Sequence, residues 1–333
     1  MSSIVLITGH VGRGAVSVNI HNQARNTSPR IICIGMPVRD LIFRVPEVPA
    51  RGQKEYASEF VEVAGGNSPN AAISISRLGG RVLLTGPIGG ALAASNAIIE
   101  DQFRSEGIDT SGLVVVDDVV TPISSVLIDP SGERTIATFR DPKLWTVALP
   151  PSDTLLADCH AILIESRCAE FGTDVCAEAK RRGIPVVIDG DRMMSMREGL
   201  LQVASHIVFS ADALHATAGE SDDVTALRKI AQVTPALLGV TSGAKGVIWL
   251  DQQGQPRQMP AFPVHTVDTL GAGDAFHGAF ALAIAEGQPL EQAMRFASAT
   301  AALKCTRFGG AFGSPQRVEV DALLAASTVT LPA

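Results

Sequence analysis

Between residues 161 and 251 the chain alternates short apolar runs with helical stretches, and this alternation limits its fold more than any other feature. The runs are AILIES (161–166), PVVIDGD (185–191), HIVFS (206–210), LLGVTSG (237–243) and GVIWLD (246–251). Most are β-branched and continuously apolar at their centres, as strands covered on both faces must be. AEFGTDVCAEAKRRG (169–183) and VTALRKIAQVT (224–234) lie between them with helical spacing. Buried strands separated by helices predict an α/β, doubly wound, mostly parallel sheet.

The front of the chain adds IICIG (31–35) as a buried strand, NAAISISRLGG (70–80) as a helix, and RVLLTGPIG (81–89) as a strand and turn. Two segments read differently. LIFRVPEVPARGQKEYASEFVEVAGG (41–66) alternates and carries Pro46 and Pro49, which suits exposed or edge strands. PISSVLIDPSGERTIATFR (122–140) reads as a hairpin turning on Asp-Pro-Ser-Gly. Strands from about 41–64 and 122–140 therefore predict a small separate sheet. Residues 1–29 are polar and glycine-rich and read as an extension before one domain over 30–325. Their GHVGRG is followed by no Gly-Lys-Ser/Thr, so it is not read as a phosphate loop.

Composition narrows the function. A net charge of −7 argues against nucleic-acid binding, which favours a basic surface. No apolar run is long enough to span a membrane, and the first ten residues lack a positive n-region, so a cytoplasmic protein is expected. The 5 cysteines are scattered without a Cys-x-x-Cys pair, and the 7 histidines lack ligand spacing. Neither a disulfide framework nor a structural metal is expected.

The stretch that carries chemistry is VDTLGAGDAFHGAF (267–280). Gly271, Ala272 and Gly273 sit between Asp268 and Asp274 where an extended, proline-punctuated segment feeds an apolar helix. Unpaired N–H groups and the helix dipole converge at such a start, and glycines let an anion approach them. Asp274 stands in the same corner, either as a proton acceptor or as a plain helix cap.

Together with VAGGNSPNAAISISRLGG (63–80) and VTSGAKGV (240–247), this stretch resembles the ribokinase-like (phosphofructokinase-B type) carbohydrate kinase family. The likeness runs from about Ile31 onward, with the motifs in family order. It implies a three-layer α/β/α core with a small β-sheet lid, and ATP and Mg2+ as cofactors. Asp274 matches the family's base, and Gly271, Ala272 and Gly273 match its anion hole. Asp40 matches the acidic residue that binds sugar hydroxyls; Gly65, Gly66 and Asn70 match the substrate-side loop. Thr241, Gly243, Gly246, Asp268, Thr269, Cys305 and Gly309 fall on the nucleotide side. Some members are dimers built through the lid, which makes a homodimer an expectation by analogy.

Within the family, VVIDGD (186–191) and RFASATAALKCTRFGG (295–310) are most similar to the 6-deoxy-6-sulfofructose kinases. In that subgroup a lid lysine and an arginine after a strand grip the sulfonate, and Lys54 and Arg167 match them. The lid asparagine is replaced by Thr138. SADA (210–213) replaces the family's Asn-x-x-Glu element, leaving Asp212 as the nearby carboxylate, and GPIGGALAASN (86–96) lacks an acidic residue and a later glycine. His277 reads as helix packing, Cys305 as packing against the nucleotide, and Asp189 and Asp191 as strand-end polar contacts or caps. The leading expectation is a kinase for an anionic ketose. The alternatives are a kinase for fructose or 2-keto-3-deoxygluconate, and a non-catalytic sugar- or nucleotide-binding protein on the same fold.

Overall fold

The structure, a computed structural model, describes residues 28–91 and 93–327. Nearly all of the extension read at 1–29 lies outside the described residues. The strands are β1 (Arg30–Ile34), β2 (Val38–Arg44), β3 (Glu59–Gly65), β4 (Arg81–Gly89), β5 (Asp109–Val116), β6 (Ile123–Ile128) and β7 (Arg134–Phe139). They continue as β8 (Ala161–Glu165), β9 (Val186–Gly190), β10 (His206–Ser210), β11 (Leu237–Thr241), β12 (Val247–Leu250) and β13 (Pro256–Met259).

Among the described residues, 9 strands form one sheet in the order β13-β12-β11-β10-β9-β8-β1-β4-β5. From β11 to β5 every pairing is parallel. Period-2 alternation sends one set of side chains to each face. Ile31 and Cys33 of β1 and Leu163 of β8 pack with helices Asn67–Arg77, Ala272–Ala285 and Leu290–Cys305. Ile32, Ile34, Ile162 and Ile164 face the opposite layer, which includes helices Ala169–Arg181 and Asp223–Ile230. The result is the α/β doubly wound sheet that the alternation implied, in the three layers that the family resemblance implied.

GVIWLD is the exception to parallel pairing. Only residues 242–246 separate β11 from β12, too few for a parallel crossover, so β12 turns back antiparallel and β13 follows it. Helix Asn67–Arg77 starts three residues earlier than its apolar spacing suggests. Pro69 falls in its first turn, where a missing N–H costs nothing.

The separate sheet has the order β3-β2-β6-β7. Its hairpin turn is held by Asp129, whose carboxylate accepts from the Ser131 and Glu133 amides at 2.8 and 3.2 Å. Ile42, Val126 and Ile128 give this sheet its own apolar cluster, and Leu270 completes it. Leu270 belongs to the glycine-rich loop, so the small sheet packs directly on the corner that carries the chemistry.

Candidate active site

A cavity of about 450 Å3 opens between the small sheet and the C-terminal ends of the parallel strands. Ligands collect at such strand ends in open α/β sheets. Asp40, Asn70, Arg140, Arg167, Gly273 and Asp274 are among its lining residues.

The floor is built by helix Ala272–Ala285. Gly271 is its N-cap at φ 79°, a left-handed conformation that L side chains avoid. A Cβ on Gly271 would also lie 3.3 Å from the Ala311 amide nitrogen, whereas one on Gly273 would meet nothing within 4 Å. The first turn therefore rests on residues 310–311, and the Ala272 amide donates to the Thr269 carbonyl at 3.2 Å, which corrects its reading as an anion-hole donor and leaves the Gly271, Gly273 and Asp274 amides without a backbone partner. Asp274 is the third residue of the helix, and Asn70 Nδ2 donates to its Oδ2 at 2.7 Å. That contact crosses between two helices and is not a cap. Burial pushes the Asp274 carboxyl well above the usual range, helped by the charge of Asp189; the Asn70 bond opposes this. The corner thus holds a carboxyl with raised proton affinity beside unpaired N–H groups. That pairing suits deprotonation of a hydroxyl as it attacks an anionic phosphorus.

Asp40 forms another wall. It is 7% exposed, and burial raises its carboxyl to about 6; the Ser124 hydroxyl and the Arg140 guanidinium pull it back down. A Cβ on Gly65 would overlap the Asp40 carboxylate, so glycine is required for this side chain to reach the cavity. Gly66, at φ 104°, starts helix Asn67–Arg77 and brings Asn70 inward.

The cationic side differs from its expectation. Lys54 is exposed in the connection between β2 and β3 and is absent from the lining. Arg167 lines the cavity, with Nε 3.2 Å from Glu165 Oε2 and its guanidinium paired to Asp191. Those two carboxylates already balance its charge. Arg140, just beyond β7, is the residue that sequence reasoning missed. Its guanidinium makes no ion pair among the described residues, and its buried Nε has no hydrogen-bond partner. Burial, then the nearby positive charge of Arg167, hold its pKa below the ordinary arginine value. The hairpin TIATFRD hid it, because a terminal arginine reads equally well as solvated. Thr138 lines the cavity and its hydroxyl lies 3.0 Å from that of Ser124.

The residues assigned to the nucleotide side divide into two groups. Thr241 lines the cavity beside Ser210 and Asp212, so the altered SADA segment keeps its carboxylate at the site. Gly243, at φ 52°, has open space where a side chain would stand, and Gly246, at φ 93°, is required by close backbone approach to Met259 and Ala261. Thr269 instead bridges outward: it accepts from Arg134 at 2.9 Å and donates to Gly132 O at 3.0 Å. Cys305 is half-buried, and its carbonyl accepts from Val267 and Asp268. Asp268 is wholly buried, outside the cavity lining, and its carboxylate accepts from the Leu270, Gly309 and Gly310 amides. Gly309 donates to that carboxylate at 3.1 Å. His277, read as packing, is 3% exposed with ring nitrogens 2.8 and 2.9 Å from the Gly273 and Val208 carbonyls.

Fold and corner together define a phosphotransferase of the ribokinase type, and the comparisons agree. Residues 28–317 match the model of the pfkB family carbohydrate kinases, and the chain belongs to that family. It is 28% identical to the ribokinase of Bacillus subtilis (strain 168) over 300 residues, covering 89% of this chain and 99% of that one. It is 29% identical to fructokinase-1 of Oryza sativa subsp. japonica over 327 residues, covering 85% and 95%. The crystal structure of a candidate ribokinase from Agrobacterium tumefaciens superposes with a TM-score of 0.84 at 35% identity, covering 90% of this chain and 98% of that one.

Proposed function

We propose that this chain transfers the γ-phosphoryl group of ATP to a hydroxyl of a ketose-type sugar that bears an anionic group, with 6-deoxy-6-sulfofructose favoured. The observation that carries this reading is Arg140. A half-buried guanidinium that makes no ion pair among the described residues, with a buried Nε that has no hydrogen-bond partner, is costly unless a ligand completes it. A sulfonate, phosphate or carboxylate supplies the matching oxygens. Arg167 then orients this end of the sugar while remaining neutralised by Glu165 and Asp191.

Asp40 accepts from sugar hydroxyls and sets the ring, Asn70 orients Asp274, and Asp274 takes the proton of the attacking hydroxyl. The Gly271, Gly273 and Asp274 amides meet the charge that develops on the moving phosphoryl group. Mg2+ accompanying ATP supplies charge neutralisation among the phosphates. Asp212 lines the cavity and offers hard oxygen donors to an ion that would be held mainly by phosphates. The exposed Phe60 and Phe139 of the small sheet support a homodimer through that face.

A kinase for a neutral ketose or a sugar acid is the second reading, favoured by the internal pairing of Arg167 and by the fructokinase relative. The test is ADP release from Mg-ATP with sulfofructose, fructose 6-phosphate, fructose and 2-keto-3-deoxygluconate, with Asp274→Asn as control. Turnover of an anionic ketose above fructose is expected. Equal or better use of fructose would remove the anionic reading, and silence across the panel with sugar-dependent thermal shifts would favour a binding protein.

A further inference from the structure

Lys304 is the one lysine among the described residues with no exposed surface, and it lies directly behind the glycine corner. Its Nζ donates to the Asp268 carbonyl at 2.9 Å and lies 3.1 Å from Asp268 Oδ2. Asp268 is equally buried, and its carboxylate is a hub. Oδ1 accepts from the Leu270 amide at 2.8 Å; Oδ2 accepts from the Gly309 and Gly310 amides, each at 3.1 Å. The hub therefore joins the 268–271 turn to the 309–311 turn on which Gly271 rests. Arg77 fastens the far end of the second turn through the Phe312 and Ser314 carbonyls at 2.7 and 2.8 Å.

A buried ion pair is a poor source of stability, because desolvating both charges offsets their attraction. Burial holds the Lys304 ammonium below its ordinary pKa, and Asp268 opposes that shift. What the pair does supply is fixed geometry: an ammonium at the end of helix Leu290–Cys305, where the helix dipole favours a cation, pinned to the loop that aims the anion-binding amides.

We infer that Lys304 is a positioning residue for phosphoryl transfer, a tethered internal cation that, through Asp268, holds the corner amides where the transferred charge develops. This role rests on membership of the kinase family and is independent of which sugar is used. Because those amides act most strongly on the transition state, losing the clamp should lower kcat more than it raises KM.

The test compares Lys304→Met with the double variant Asp268→Asn/Lys304→Met, using the panel sugar that the wild-type protein phosphorylates fastest. Thermal unfolding, kcat, sugar KM and calorimetric ADP affinity are measured for each. Lys304→Met strands a buried carboxylate, so its midpoint should fall; the double variant removes that charge and should recover much of the midpoint. Its kcat should nevertheless stay down by about tenfold to 10²-fold, the scale of misplaced catalytic groups, with ADP affinity and sugar KM changed much less. Recovery of kcat in step with the midpoint would overturn the inference and leave a folding role alone. A loss confined to KM would overturn it as well.

Discussion

The two ends of the cavity are built on different principles. The end proposed to take the phosphoryl group is made of backbone: Gly271 in a left-handed turn, the amides that follow it at the start of a helix, and a buried Asp268–Lys304 pair behind them. The end proposed to take the sugar is made of side chains, with Asp40, Thr138, Arg140 and Arg167 projecting from the small sheet and the strand ends. A phosphoryl group is the same in every reaction of the family, so fixed backbone donors serve it. The sugar varies, and side chains on a separate sheet can be exchanged without disturbing the parallel core. On the proposed reading the site separates chemistry from choice of substrate.

The comparison is tested most severely by Asp274→Asn, which keeps the shape and removes the base. We expect kcat to fall by about 10²–10⁴-fold while ADP binding, measured by calorimetry, survives. The wild-type rate should also decline with acid from a pH above the usual carboxylate range. Asp274 is held high by burial and Asp189, so protonation disables it earlier than a solvated aspartate.

Arg140→Ala probes the other end. KM for an anionic sugar should rise by roughly 10- to 100-fold, the worth of a hydrogen-bonded charge, with fructose affected about threefold or less. Equal losses on both sugars would mean that Arg140 positions the pocket in general, and the division between the two ends would weaken. Gly271→Ala should act in the opposite sense. It forces an L side chain into positive φ at a cost of about 1–2 kcal/mol and crowds Ala311, so kcat should drop about tenfold for every sugar alike. A sugar-dependent effect would show that the corner also reads substrate.

The smallest effect is expected from pH at Asp40. Its carboxyl is raised to about 6, so below that pH it becomes protonated and loses acceptor capacity for sugar hydroxyls. Sugar KM should rise a few-fold as pH falls through about 6, and Asp40→Asn should flatten that dependence while raising KM throughout. A dependence unchanged in the variant would assign the titration elsewhere.

The parallel sheet was legible because strands buried on both faces leave continuous apolar runs that need no partner to be recognised. The glycine corner was legible for a related reason, since positive φ and close backbone approach admit few residue types at Gly271. Local sequence alone therefore determined the α/β class, the small sheet and the location of Asp274. Pairing and charge were decided only by the tertiary structure. Lys54 and Arg140 are both cations near strand ends, yet one faces solvent and the other meets Asp40 and Arg167 across the cavity. Asp268 and Asp274 stand six residues apart around the same turn, yet one is sealed against Lys304 and the other faces the cavity. Helical and strand periods report which face a residue occupies. What lies opposite that face comes from other segments of the chain, with Arg167 27 residues from Arg140 and Arg140 100 residues from Asp40, and this neighbourhood fixes whether a charge is solvated, balanced or left for a ligand.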